Sequence, residues 1–249
     1  MTIKDNQKVF FGKEKVSKSE KQKGVNEIFS KVTSNYDLMN DFMSLGAHRL
    51  WKNTFVKEAK IVKNSTILDL AGGTGDITKI IQKEYYNCKV YLSDQNSSMV
   101  NFARDRAMNE GFINNTFFDT SSAEKLPFKN SFFNHVFISF GFRNFSDKDK
   151  ALSEIIRVLK KGGTLHILEF AKVQNKTFSK IYDFYSYELI PRIGNLVSSD
   201  KESYEYLVNS IRTHESQEET CEMLKSNGFS SAEYKNLFNG IVAIHRATK

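Results

Sequence analysis

Three glycines within four positions, Gly72, Gly73 and Gly75, follow the run Ile67-Leu68-Asp69-Leu70-Ala71 and surround Thr74 ahead of Asp76. Glycine lets the backbone take φ > 0 and approach a ligand without a Cβ in the way, and a helix that starts behind such a loop turns its N–H groups toward the same ligand. The chemistry implied is the holding of a nucleoside-bearing cofactor by Asp69, Gly72, Gly73, Thr74 and Gly75. Asp94 lies 19 residues beyond Gly75, at the tip of a second apolar run, where a carboxylate can accept hydrogen bonds from both ribose hydroxyls. Its plainer role is to cap the helix that follows, and Asp76 likewise reads as a helix cap. A dinucleotide fingerprint needs a small residue at the last place of G-x-G-x-x-G/A, so that helix packs on strand around a pyrophosphate. Counted from Gly73, that place is Thr78. A cofactor without a pyrophosphate fits better, and an NAD-dependent dehydrogenase fits worse.

These residues need a scaffold that brings strand ends together. Apolar runs predict strands at 66–70, 89–93, 116–118, 135–140 and 164–170, alternating with helices at 76–85, 97–109 and 147–159, the last ended by Gly162-Gly163. The alternation predicts an α/β fold with a doubly wound, mostly parallel sheet whose ligands sit at the carboxyl ends of the strands. Gly72 to Asp76, Asp94, the Ser122-Ala123 pair, Ser139, Arg143 and Asn144 all fall at such ends. Residues 232–237 and 240–245 predict an antiparallel C-terminal hairpin turned at Asn239-Gly240.

Residues 1–22 lack periodicity and predict a mobile basic arm; 23–249 form one domain, opening with a helical cap over 23–62. Residues 172–225 exceed by far the ~10 to 12 residues a crossover needs, and predict a helical insertion over the substrate site. Its stripe of Phe178, Ile181, Tyr182, Tyr185 and Leu189 would either line a channel for an apolar tail or pack as an ordinary helix face.

Composition narrows the classes. Two cysteines, Cys88 and Cys221, form no C-x-x-C pair, so neither a disulfide framework nor a thiolate metal site is expected. The five histidines make no close ligand pair, and no metal is implied. No apolar run reaches the ~20 residues of a bilayer span, and nothing resembles a secretory signal, so a cytoplasmic location is expected. The net charge of +7 is concentrated in residues 1–31, with eight Lys against four acids; an arm of this kind either meets anionic surfaces or is simply solvated.

The glycine loop, Asp94, S-S-A-E-K-L-P-F (121–128), S-F-F-N-H-V-F-I-S-F (131–140) and R-V-L-K-K-G-G-T-L (157–165) together resemble the Rossmann-like class I S-adenosylmethionine-dependent methyltransferases. Over nearly its whole length the chain resembles the ubiquinone/menaquinone biosynthesis C-methyltransferases of the bacterial UbiE type. Matching runs include I-S-F-G-F-R-N-F-S-D-K-D-K-A-L (138–152), L-E-F-A-K (168–172), S-Y-E-Y-L-V-N-S-I-R (203–212) and N-G-I-V-A-I-H-R (239–246), of which the F-G-x-R-N-x-x-D-K and S-Y-x-Y-L-x-x-S-I-R patterns are the most specific. The resemblance implies S-adenosyl-L-methionine as cofactor, held by Thr74, Asp94, Ser122, Ala123 and Ser139, with Ser122 standing where many relatives have Asn or Asp. It implies methyl transfer to an unsubstituted carbon of a polyprenylated benzoquinol or naphthoquinol. Arg143 would then stabilise a phenolate, Asn144 would orient it, and Asp76 would draw the proton through a water.

The substrate would be met at the inner membrane face or on a quinone-synthesis complex, without nucleic acid; a homodimer stays open. The alternatives are another small-molecule methyltransferase using the same cofactor, or a non-catalytic scaffold of quinone-synthesis enzymes. Pro127 and Pro191, the only prolines, are followed by Phe128 and Arg192. The N-P-P-Y turn of amino-methylating nucleic-acid enzymes is therefore missing, as is the Pro-Cys pair of RNA cytosine methyltransferases.

Overall fold

The computed structural model of the chain describes residues 8–32, 40–41, 44–173 and 201–249. A small hairpin, β1 (Val9–Phe11) and β2 (Glu14–Val16), leads into helix α1 (Lys18–Val32), and α2 spans Ala47–Glu58. Then come β3 (Thr66–Leu70), α3 (Asp76–Glu84), β4 (Lys89–Asp94), α4 (Ser97–Asn109), β5 (Thr116–Thr120) and β6 (Phe133–Ser139). After a 3-10 turn at Phe142–Asn144 follow α5 (Lys148–Val158) and β7 (Leu159–Phe170), and the chain closes with α6 (Lys201–Thr213), α7 (Gln217–Ser226), β8 (Ser231–Leu237) and β9 (Val242–Thr248).

The seven-stranded sheet has the order β5-β4-β3-β6-β7-β9-β8. β5, β4, β3, β6 and β7 are parallel, and β9 runs antiparallel between β7 and β8. This is the doubly wound sheet with an antiparallel terminal hairpin that the sequence predicts. The order reverses between β3 and β6, which makes their carboxyl ends the switch point where a ligand crevice opens. The central strands are covered on both faces, and this is why they read as unbroken apolar runs. Leu68, Leu70, Val136 and Ile138 pack to one side with Leu152 and Ile155 of α5. Ile67 and Phe137 point to the other, against Phe55 and Val56 of α2 and Ile77 and Ile81 of α3.

Two expectations are corrected. Residues 9–16 form a hairpin and α1 begins at Lys18, inside the segment expected to be a mobile arm. Strands of three residues are too short to show a period, and Phe11 gains its hold from a distant ring, Tyr206, at a centroid distance of 4.8 Å. Gly162-Gly163 does not end α5. The helix stops at Val158, Leu159 is already extended, and the glycines lie within β7 at the irregularity between the Phe133↔Leu159 and His135↔Thr164 pairs. The stripe from Phe178 to Leu189 lies outside the described residues; α6 and α7 are the described helices of the expected insertion.

Candidate active site

β3 is followed by Ala71, a non-glycine residue at φ 56, and then by Gly73 at φ 54 and Gly75 at φ 87. A Cβ on Gly72 would stand 2.7 Å from Leu92 Cγ and 3.2 Å from Asp69 Cγ, so the loop is folded down onto the sheet with the Asp69 carboxyl beneath it. Thr78 explains itself here. Its N–H (3.1 Å) and its hydroxyl (2.6 Å) both donate to Asp69 Oδ2, so the residue that breaks the dinucleotide pattern anchors the acid at the loop's base. Asp69 Oδ1 is buried without a partner, and desolvation pushes this carboxyl up to about 7. Gly73 N–H (3.0 Å) and Asn96 N–H (2.9 Å) hold Asp94 at the end of β4. Burial outweighs those two donors and raises its pKa.

A cleft opens at the switch point. Gly73, Asp94, Ala123, Ser139 and Asn144 form its wall on the sheet side, with Phe140 and Phe145. Ser139 Oγ is buried and unpartnered. Gln22, Val25, Asn26 and Phe29 of α1 close the opposite side. Asn96 Nδ2 ties that helix down through Asn26 O (3.1 Å) and Ser30 Oγ (2.8 Å).

Arg143 and Asn144 follow Phe140, which is held at φ 57, and Gly141, where a Cβ would stand 2.7 Å from Ala71 Cβ. Arg143 is 5 % exposed. Its Nη1 donates to Glu169 Oε1 at 2.8 Å and to Phe140 O, and its Nε donates to Ser210 Oγ at 3.2 Å. Nη2 is left without a partner among the described residues. Asn144 Oδ1 accepts the Tyr206 hydroxyl at 2.9 Å.

Asp76 is arranged differently. Lys52 Nζ reaches Oδ2 at 2.7 Å and Arg106 Nη1 reaches Oδ1 at 2.8 Å. These two cations hold the carboxyl well below the usual carboxylate range in spite of its burial. Asp76 does not line the cleft, and neither do Asp69, Gly72, Gly75 and Arg143, nor Thr74, whose carbonyl accepts Arg106 Nη1 at 3.2 Å; Arg143 lines a separate cavity together with Lys148, Tyr206 and Ser210. Ser122 is also turned away: its hydroxyl donates to Glu124 Oε2 at 2.5 Å and accepts Glu124 N–H at 3.1 Å. Ala123 remains on the wall, with Ser121 beside it.

Several site residues escaped sequence reasoning. Gln22, in the segment read as a mobile arm, and Asn26 and Phe29, in the segment read only as a cap, sit together on α1, Gln95 follows Asp94 on the wall, and Glu124 collects Ser146 N–H (3.2 Å), its hydroxyl (2.8 Å) and Asp147 N–H (3.2 Å). Glu169 is fully buried at the end of β7. An acid within the run Leu165 to Phe170 was the one available signal, since a charge in a buried strand must find a partner.

Comparison with known proteins places the chain. The model of the ubiE/COQ5 methyltransferase family matches residues 15–249. The ubiquinone/menaquinone biosynthesis C-methyltransferase UbiE of Hydrogenovibrio crunogenus is 48% identical over 240 residues, covering 96% of this chain and 94% of that one. The UbiE protein of Neisseria meningitidis serogroup A is 47% identical over 247 residues, 98% of both chains. Among solved structures, an S-adenosylmethionine-dependent methyltransferase from Aquifex aeolicus superposes with a TM-score of 0.58 at 20% identity, over 79% of this chain and 88% of that one. A Haemonchus contortus phosphoethanolamine N-methyltransferase 2 in complex with S-adenosyl-L-methionine gives 0.60 at 18% identity, over 80% and 52%. At such identities the structural likeness concerns the fold alone.

Proposed function

The chain belongs to the ubiE/COQ5 methyltransferase family, and from that premise we propose that it transfers a methyl group to a ring carbon of a polyprenylated benzoquinol or naphthoquinol, in ubiquinone or menaquinone biosynthesis. S-adenosyl-L-methionine supplies the electrophilic sulfonium methyl. The residues present fit that group: Asp69 Oδ1 is an acceptor lacking a donor, Ser139 Oγ is a hydroxyl lacking a partner, and Asp94 stands on the cleft wall with a carboxylate for ribose hydroxyls. Val25, Phe29, Phe140 and Phe145 line the same cleft, and apolar walls keep water from the sulfonium.

The observation that carries the reading is the state of the Arg143-Asn144 pair beside this cleft. A ring carbon becomes nucleophilic when the neighbouring phenol loses its proton, so a site for C-methylation needs fixed donors for the resulting oxyanion. Arg143 Nη2 and Asn144 Nδ2 have no partner among the described residues, while the rest of both side chains is tied down. Asp76, expected to draw the proton, has both oxygens engaged by cations; we assign it to holding the loop. Mass spectrometry of quinone intermediates after gene deletion tests the reading. A precursor one ring methyl short is expected to accumulate, and an unchanged quinone profile would overturn it.

An insoluble substrate calls for contact with the membrane surface. Among the described residues no helix is long and apolar enough to cross a membrane. Phe238, however, is 49% exposed against the Trp51 ring, and Leu50, which precedes Trp51 on α2, is 55% exposed. Exposed apolar side chains of this size suit a lipid surface. Co-sedimentation with vesicles, lost in a Leu50→Ser, Phe238→Ser variant, is the expected result; equal sedimentation of both proteins would sink it.

A further inference from the structure

Arg143 and Asn144 are gripped by one face of one helix. From α6, Tyr206 donates to Asn144 Oδ1 at 2.9 Å and Ser210 accepts Arg143 Nε at 3.2 Å. Side chains four residues apart stand one above the other on a helix, so a single turn of α6 meets two consecutive residues of the loop after β6. Tyr206, Ser210, Arg143 and Asn144 are each less than 9% exposed. The Ser210 hydroxyl gives its own proton to Leu207 O at 2.8 Å, which leaves its lone pairs for the guanidinium.

We propose that Tyr206 and Ser210 are positioning residues of the methyl transfer, with Tyr206 setting which end of the Asn144 amide faces the acceptor ring. An asparagine side chain offers an acceptor at one end and a donor at the other, and a half-turn exchanges them. With Oδ1 held by the phenol, Nδ2 is the end left for the cleft that Asn144 lines. Asn144 then gives a hydrogen bond to the ring oxygen and does not take a proton from it. The phenol suits this task, because burial pushes its pKa up to about 12 and keeps it a donor at every working pH. Ser210 holds Arg143, the neighbour of Asn144: with Nε on Ser210 and Nη1 on Glu169 and Phe140 O, the guanidinium is fixed in place, and Nη2 is its one nitrogen without a partner among the described residues. The S-Y-x-Y-L-x-x-S-I-R run is thus the second half of the F-G-x-R-N run.

This inference rests on the reading of the chain as a quinol C-methyltransferase, and the test separates the two. Tyr206 also packs with Val25 and Ile28, and Tyr206→Phe keeps that packing while removing one hydroxyl. With purified full-length protein and a short-tailed demethylated quinol, Tyr206→Phe is expected to lower kcat about ten- to a hundredfold, with the cofactor Kd from calorimetry within about twofold of wild type. In an Asn144→Ala background the same change should cost nothing further, because a residue that acts through another loses its effect when that other is gone. Ser210→Ala should likewise be silent in an Arg143→Lys background, which lacks Nε. Asn144→Asp, which presents oxygen where Nδ2 stood, should be at least as impaired as Asn144→Ala. Equal losses in both backgrounds, an unchanged kcat in Tyr206→Phe, or a recovered kcat in Asn144→Asp would overturn the positioning role while wild-type turnover stands. Absence of any methylated quinol from the wild type would overturn the quinol reading and this proposal with it.

Discussion

Asp76 and Arg143 occupy matching places, each a charged residue just past a central parallel strand, and each is paired inside the protein. What separates them is how completely they are paired. Lys52 and Arg106 take one oxygen each of Asp76, so the carboxylate has spent its strongest contacts on α2 and α4 and fixes the glycine loop between them. Arg143 has spent Nη1 and Nε on Glu169, Phe140 O and Ser210 and keeps Nη2. A saturated charge works as a fastener, whereas a charge held firmly with one donor left over can act on a substrate. Neither condition is visible in residue type.

The comparison is tested most severely at Glu169, which is 0% exposed. Glu169→Gln keeps shape but leaves the Arg143 charge unbalanced and puts an amide N–H donor where both carboxylate oxygens accept, and removing one partner of a buried pair costs about 3–5 kcal/mol. Denaturant unfolding should show a loss of that order, with turnover in the surviving folded protein down by roughly a hundredfold as the guanidinium shifts. Stability within about 1 kcal/mol of wild type, a normal value for a harmless substitution, would mean that Arg143 has another anchor.

Asp76→Asn should separate the two residues. Its side chain is 19% exposed, so leaving Lys52 unpaired is expected to cost less, about 2–3 kcal/mol, while kcat at saturating cofactor stays within about threefold, a change too small for a lost proton acceptor. The sign with pH follows from the depressed pKa of Asp76. Its contribution is present above the unfolded value of about 4 and is lost as pH falls from there toward the folded value, so the variant's stability should fall less steeply below pH 4 than that of wild type. A normal melting temperature with kcat down a hundredfold would reverse the comparison and make Asp76 the proton acceptor.

Much of this site was legible in the chain. The glycine loop, Asp94 and Ser139 were found because central strands buried on both faces give apolar runs, and strand ends in such a fold are where ligands go. Helix 97–109 was bounded correctly because Asn96 caps Ser98 and Met99 N–H groups and Gly111 lies just past its end. Partners from distant segments were not legible. Glu169 meets Arg143 only because β6 and β7 are neighbours in register, Ser139 against Leu168, and Lys52 meets Asp76 because α2 packs against α3. Ser122 looked available for the cofactor until its hydroxyl proved to be turned onto Glu124 two residues on, a local turn contact that competes with any ligand.

Asp69 extends the contrast to the floor beneath the glycine loop, since one of its oxygens is bound by Thr78 and the other has no partner. With a folded pKa of about 7, it is largely protonated below neutrality in the free protein, and a bound ammonium or sulfonium group favours its ionised form. Cofactor affinity should therefore rise with pH through about 7 and level off above it, falling toward tenfold per unit on the acid side. Calorimetry in buffers of different ionisation enthalpy should register release of a proton on binding below pH 7. A flat affinity between pH 6 and 8 would show that Asp69 is not coupled to the ligand.

Ser139 should give the smallest effect and the most telling sign. Its hydroxyl is buried without a partner, so in the unliganded protein it carries a desolvation cost with no bond in return. Ser139→Ala removes that cost, and the melting temperature of the free protein should stay level or rise slightly. If the hydroxyl is kept for the cofactor or the ring, binding should weaken by about 1 kcal/mol, roughly fivefold in Kd. The variant would then be at least as stable empty and less stabilised by ligand. That pairing of signs belongs to a polar group left open for a guest, whereas a fastener such as Asp76 must lose stability in both states. A Ser139→Ala protein that melted lower when empty and bound as tightly as wild type would move Ser139 to the saturated side of the comparison.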